Sequence, residues 1–304
     1  MKKLILIILL VLPVFAQSQG IKRGQVGTSG ITPTKSIGTG GIDPSDGIPA
    51  LTTVDSLILS MTVDATRETL IRTVYQMFLD SLGISTLRER LGYWHFYAAN
   101  DSLASKLDWT MNGHIATTYN LLTFQTDMGW TRSAAGSYIN SNFNVSTSPV
   151  FLQNSASLFF YSRTNIDETS INIGILKSTP VYESRMSIRL GGNLYSTLNT
   201  GTSATTIANS VSLGLFANSR MDSDSVRSYI NGAKVGTKAY TSVAPINANI
   251  FILAANDGAG TPLYGATTQV ACSGAGGMFT ATEMRMIKNI VEYYMDAIGA
   301  GVIP

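Results

Sequence analysis

The chain has 304 residues, of which 44% are hydrophobic and only 13% charged, with 21 Lys+Arg against 19 Asp+Glu and a single cysteine. With so balanced a charge and no Lys/Arg cluster, the electrostatic term that drives binding to nucleic acid or to an anionic membrane surface is missing, and both partners are set aside. Cys272 cannot form an intrachain disulfide, so a large core must hold the fold, and its small neighbours Ala271 and Ser273 suit a buried thiol better than a nucleophile.

The N-terminus opens with Met1-Lys2-Lys3, runs apolar from Leu4 to Ala16 and closes on small residues, which is the three-part pattern of a secretory signal peptide over residues 1–18. A membrane span needs about 20 apolar residues, and this run is shorter. No later run approaches that length, so no membrane span is expected once the signal is removed. Its removal takes Lys2 and Lys3 and no acid, leaving 19 basic residues against 19 acidic. A secreted or cell-surface protein is expected, or a virion protein if the gene is a phage's. Residues 19–50 are rich in Gly, Ser, Thr and Pro, with phrases such as Gly30-Ile31-Thr32-Pro33 and Gly41-Ile42-Asp43-Pro44, and are too poor in apolar residues to bury a core. They read as a tether whose isolated Ile residues can dock on a neighbouring copy, so a homo-oligomer is expected.

A helical leader is expected over 51–90. Between Asp64 and Leu82 the residues Leu70, Ile71, Val74, Tyr75, Phe78 and Leu82 recur at three- and four-residue steps, and Gly83 follows as the helix stop. From Gly92 the period changes to short strands: Tyr93–Ala98, Leu121–Gln125, Tyr138–Asn142, Ser157–Ser162, Ile171–Leu176, Arg185–Leu190 and Val211–Phe216, each bounded by turn residues. Alternation such as Met186-Ser187-Ile188-Arg189-Leu190 gives a strand one buried and one wet face. Asn231-Gly232 between Ser225–Ile230 and Ala233–Gly236 is a strong hairpin signal, since both central turn positions need positive φ. After an apolar strand at Ile250–Ala255, Thr280 and Glu283 form a capping box that starts an amphipathic helix over 280–299, ended by Gly299. The fold class that follows is mainly β: an antiparallel β-sandwich over 91–304 with a leader helix and a C-terminal amphipathic helix lying on the outside of a sheet or on the leader.

Four phrases carry a family resemblance. They are Trp94-His95-Phe96-Tyr97-Ala98-Ala99-Asn100-Asp101-Ser102 with Leu107-Asp108-Trp109; Leu122-Thr123-Phe124-Gln125-Thr126-Asp127-Met128-Gly129-Trp130 with Ser137–Asn144; Gly214–Arg220 leading to Tyr229-Ile230-Asn231-Gly232; and the helix Thr280–Gly299 after Gly-rich Ser273–Gly277. In that order they resemble the concanavalin A-like (laminin-G-like) jelly-roll modules found in phage and prophage tail-associated and surface proteins, over about Leu51 to Pro304. The resemblance implies a glycan-facing or assembly-facing sandwich, and the fold alone names no ligand. Virion proteins usually lack a cleavable signal, so a cellular surface protein stays in view.

Chemistry is sparse. Only six glutamates are present, four of them in helical or near-helical segments, and Asp167-Glu168 is an adjacent pair whose carboxyls diverge, so no carboxylate pair for glycoside hydrolysis stands out. Two histidines, His95 and His114, with no Gly-x-Ser-x-Gly elbow, give neither a triad nor a zinc pattern. No cofactor is expected; calcium is the one ion the loops could hold, at Asp222-Ser223-Asp224 or Asn256-Asp257-Gly258. Sugars present apolar C–H faces and a rim of hydroxyls, so a glycan site needs an exposed aromatic; Trp109, Trp130, Tyr195 and Tyr264, with Tyr119, are the candidates near turns. The expectation is a non-enzymatic module binding a glycan or a protein surface partner. The alternative is a structural virion or surface-assembly subunit, with a glycoside hydrolase a remote third.

Overall fold

The computed structural model describes residues 52–303; the expected signal at 1–18 and tether at 19–50 lie outside the described residues. Thr52 and Asp55 close a capping box on α1 (Thr53–Leu59), a helix the sequence periodicity does not announce. Asp64 caps α2 (Ala65–Leu82), and Gly83 ends it at φ 62°, the left-handed conformation that glycine adopts without a Cβ clash. The leader helix is present where its apolar spacing places it.

Then follow β1 (Leu91–Phe96), β2 (Thr117–Tyr119), β3 (Leu122–Gln125), β4 (Gly129–Arg132), β5 (Tyr138–Asn144) and β6 (Ala156–Ser162). The middle of the chain adds β7 (Ile173–Ser178), β8 (Val181–Leu190), β9 (Asn193–Thr200), β10 (Thr206–Ala208), β11 (Gly214–Arg220), β12 (Ser225–Ile230) and β13 (Ala233–Ala239). Last come β14 (Asn249–Ile252), β15 (Ala255–Asn256), β16 (Pro262–Leu263), β17 (Val270–Gly276) and α3 (Ala281–Ala297). Asn231 and Gly232 take φ of 50° and 76° between β12 and β13, as the hairpin requires. Thr280 and Glu283 close the box expected at the start of α3.

The strands form two antiparallel sheets. One runs β13-β12-β11-β6-β17-β4-β3, with β1 also on β17; the other runs β10-β9-β8-β7-β14-β5-β2, with the short β15 and β16 attached. Alternation along the strands sorts the side chains into two cores. Ile173, Ile175, Met186 and Ile188 of the second sheet meet Leu158, Phe160, Phe216 and Val226 of the first, which makes the sandwich. The intervening residues of the first sheet, Phe159, Tyr161, Leu215 and Ala217, turn outward and meet Val74 and Phe78 of α2 and Met284, Ile287, Val291 and Tyr294 of α3. Each buried side chain of this kind contributes about 2 kcal/mol. The C-terminal helix therefore does both things expected of it: it covers a sheet and packs on the leader, where Arg67 Nη1 donates to the Tyr294 hydroxyl at 3.3 Å.

Polar groups also tie the two sheets. Arg220 on β11 is fully buried; its Nε donates to Leu198 O on β9 at 2.9 Å, and its Nη1 donates to Tyr240 O at 3.0 Å and Asp222 O at 3.2 Å. Burial lowers the guanidinium's pKa. The layering leaves an asymmetry with consequences for function: helices cover the outer face of the first sheet, and among the described residues no helix covers the outer face of the second.

Candidate functional site

Along β8 the residues facing away from the sandwich core are Glu183, Arg185 and Ser187, at the two-residue period of a strand. They line a cleft of about 350 Å³ with Leu176 of β7, Thr169, Ser170 and Ile171 before it, Leu190, Ser203 of the β9–β10 connection, and Tyr264 after β16. Gly174 on β7 pairs with Arg185 and sits at φ 132°; a Cβ there would lie 2.2 Å from Ser184 O, so only glycine lets the two strands approach at this point.

The floor is charged and held in place. Arg185 Nε donates to Glu183 Oε2 at 3.1 Å and its Nη1 to Ser187 Oγ at 3.5 Å, while the Ala204 N–H donates to the same Glu183 oxygen at 3.2 Å. The Arg185 side chain is 13% exposed and that of Glu183 3%. Nη2 of Arg185 has no protein partner among the described residues, so one edge of the guanidinium is left to donate into the cleft. Around it Thr169, Ser187 and Ser203 supply hydroxyls, while the Ser170 Oγ is turned in and buried. At the lip, Tyr264 is 58% exposed. Its φ is 50°, unusual for an aromatic residue, and its carbonyl accepts the Ile171 N–H at 2.7 Å, which pins the backbone in that conformation.

The other sequence candidates divide. Tyr195 on β9 is half-buried and stands opposite Ser187 in register, beside the cleft. Tyr119 on β2 is exposed on the same sheet, stacked on Tyr138 with ring centroids 4.7 Å apart and planes 3° off parallel. Trp109 and Trp130 do not stand on the surface as platforms. Trp109 is 1% exposed, wedged against Phe96 at 4.5 Å and Tyr294 at 5.8 Å under the helix layer. Trp130 is 6% exposed, with Nε1 donating to Ser105 Oγ at 3.0 Å. Their position near turns misled because indole has more apolar surface than a turn can leave wet, and the interior takes it.

Arg185 and Glu183, the polar core of the cleft, were not singled out from sequence. The available signal was Glu183-x-Arg185-x-Ser187, three polar residues at strand period in the run Val181–Leu190, with Tyr182, Met186 and Ile188 on the alternate positions. Glu168 and Asp167 diverge as expected but are not merely solvated: Glu168 accepts from Thr267 and Thr268, and Asp167 accepts the Gly191 and Gly192 N–H groups.

Among the described residues no three His, Cys, Asp or Glu side chains converge as a metal group. In the two loops considered for calcium the oxygens serve their own turns. Asp222 Oδ1 accepts from the Asp224 and Ser225 N–H groups, and Asp257 Oδ1 from those of Ala259 and Thr261. His95 lies fully buried: Nε2 donates to His114 O at 2.7 Å, and Nδ1 accepts from the Tyr97 hydroxyl at 3.2 Å. Burial lowers its pKa and keeps it neutral. Burial likewise pushes the Cys272 thiol well up, leaving no thiolate to act as a nucleophile.

No protein-family description and no curated protein matches the chain. Among solved structures it is similar to Trypanosoma rangeli sialidase in complex with sialic acid, at 13% identity and a TM-score of 0.49 over 73% of this chain and 38% of that one. It is also similar to the botulinum neurotoxin serotype G binding domain, at 15% identity and a TM-score of 0.47 over 66% of this chain and 51% of that one. The chain thus spans about two fifths of the sialidase and half of the toxin domain, and likeness at this level adds nothing to the reading of the cleft.

Proposed function

We propose that the cleft on the outer face of the second sheet is a glycan-binding site and that the chain acts through it as a non-enzymatic recognition module. The observation that carries this reading is the pairing of a half-exposed Tyr264 ring with the fixed Arg185–Glu183 pair and the hydroxyl side chains of Thr169, Ser187 and Ser203 in one open cleft. A pyranose has an apolar C–H face suited to the tyrosine ring and equatorial hydroxyls that accept from a guanidinium and exchange hydrogen bonds with Ser and Thr. Preorganisation favours binding, because Arg185 is already held by Glu183 and Ser187 and loses little rotamer freedom.

Hydrolysis is not part of this reading. Among the described residues Glu183 is the one carboxylate that lines the cleft, and it is already bonded by Arg185 and Ala204, so a second carboxylate at working distance has no candidate in that lining. The concanavalin A-like affinity of the sandwich and an extracellular or virion setting belong to the same proposal, and an external glycan is the partner such a setting offers. Binding of the purified chain to a broad glycan array, with Arg185→Ala in parallel, tests it. Saturable binding to a related set of glycans that the variant loses supports the site. No binding by folded protein moves the reading to a surface-assembly subunit.

A further inference from the structure

A second concavity, separate from the cleft, lies where β1 meets the β5–β6 connection. It encloses about 270 Å³ and is lined by Arg88, Gly92, Asn112, His114, Phe143, Asn144 and the Thr147-Ser148-Pro149 turn. Among the described residues its lining holds two basic side chains and no acidic one. Arg88 is exposed and makes no ion pair or side-chain hydrogen bond among the described residues. His114 Nδ1 lies 2.9 Å from Asn142 O; a carbonyl only accepts, so Nδ1 carries the proton and Nε2 is the ring nitrogen left without a protein partner. Ser148 Oγ accepts two backbone N–H groups, from Val150 at 3.2 Å and Phe151 at 3.0 Å, and its own hydroxyl proton has no acceptor among the described residues.

Unspent capacity here is thus mostly donor capacity: a guanidinium, a hydroxyl, and an imidazole nitrogen that becomes a donor on protonation. We propose that this pocket binds a small oxyanion, a carboxylate or phosphate group, between Arg88, Ser148 and His114. Charge-assisted hydrogen bonds to an oxyanion are roughly twice as strong as neutral ones, and a guanidinium can present two parallel donors to it. The charged groups around His114 are compatible with this. Asp108 accepts the His114 N–H at 3.3 Å, but its carboxylate also takes the Trp94 and Thr110 N–H groups and the Thr110 hydroxyl and does not line the pocket. His95, which donates to His114 O, is held neutral by burial. The inference is independent of the glycan cleft.

Because the chain has two histidines, the His114 ring signal can be followed by NMR at one fixed pH and assigned with His114→Gln. Chloride, acetate and inorganic phosphate are each titrated in at equal ionic strength. Oxyanion binding predicts a saturable shift of the His114 signal in phosphate, acetate or both and none in chloride; which anion moves it identifies the group. Arg88→Gln, a surface change, is expected to weaken the anion's binding roughly tenfold, the worth of one charged hydrogen bond. No saturable shift in either oxyanion overturns the proposal, as does binding that survives unchanged in Arg88→Gln.

Discussion

Arg185 Nε donates to Glu183 Oε2 over 3.1 Å, and the two side chains stand two residues apart on the outward face of β8. The pair is a positioning device: Glu183 is nearly out of solvent and fixes the arginine so that its remaining edge meets the cleft. Replacing Glu183 with Gln keeps the shape and removes the charge. The expected outcome is weaker glycan retention, with a stability loss of about 1–3 kcal/mol from the weakened buried bond. Parallel binding isotherms and urea melts separate the two effects.

Tyr264 should behave differently, because its ring is largely in water. Tyr264→Ala is expected to leave stability within about 0.5 kcal/mol of the parent, while glycan affinity falls roughly tenfold with loss of the stacking surface. A surface plasmon resonance series with matched thermal melts checks both halves. A large drop in melting temperature would assign the ring to packing.

Trp109→Ala carries the opposite signature. The indole is packed under the helix layer against Phe96 and Tyr294, so its removal is expected to cost about 3–5 kcal/mol through lost contacts and a residual cavity. Glycan binding measured on the fraction that remains folded should be unchanged, since the side chain lies on the far side of the first sheet from the cleft.

His95 gives a pH signature. Its folded pKa lies below the ordinary histidine value of about 6.5 because burial disfavours the charged ring. The unfolded chain therefore takes up a proton first as pH falls, so stability is complete above about 6.5 and is lost as pH drops from there towards the folded value. The slope approaches about 1.4 kcal/mol per pH unit for one proton. Denaturant melts between about pH 7.5 and 5.5 should show it, and His95→Phe should be less stable throughout but flatter across that window.

Much of the architecture was legible from residues with a local cause. Asp64, Gly83, the Thr280–Glu283 box and Asn231-Gly232 each dictate backbone geometry by themselves, and each stands where that geometry occurs. β9 was missed because Asn193–Thr200 is polar, yet its polar groups are spent inside: Asn199 Oδ1 accepts from the Tyr182 hydroxyl at 2.6 Å and Ser184 Oγ at 3.1 Å. Periodicity of hydrophobicity cannot register a strand buried through its hydrogen bonds. The site was half legible for a related reason. Tyr264 stood out by type and by its place near a turn, whereas Trp109 and Trp130 shared those marks and went to the interior. Glu183 and Arg185 gain their meaning only from which face of the second sheet the described helices leave open, a tertiary fact.

The most direct test of the central claim is amide chemical-shift mapping of the chain against a glycan that it retains on an array. Glycan binding in the cleft predicts perturbations concentrated at Glu183, Arg185, Ser187, Ser203 and Tyr264. Perturbations confined to α2, α3 or the first sheet would contradict it.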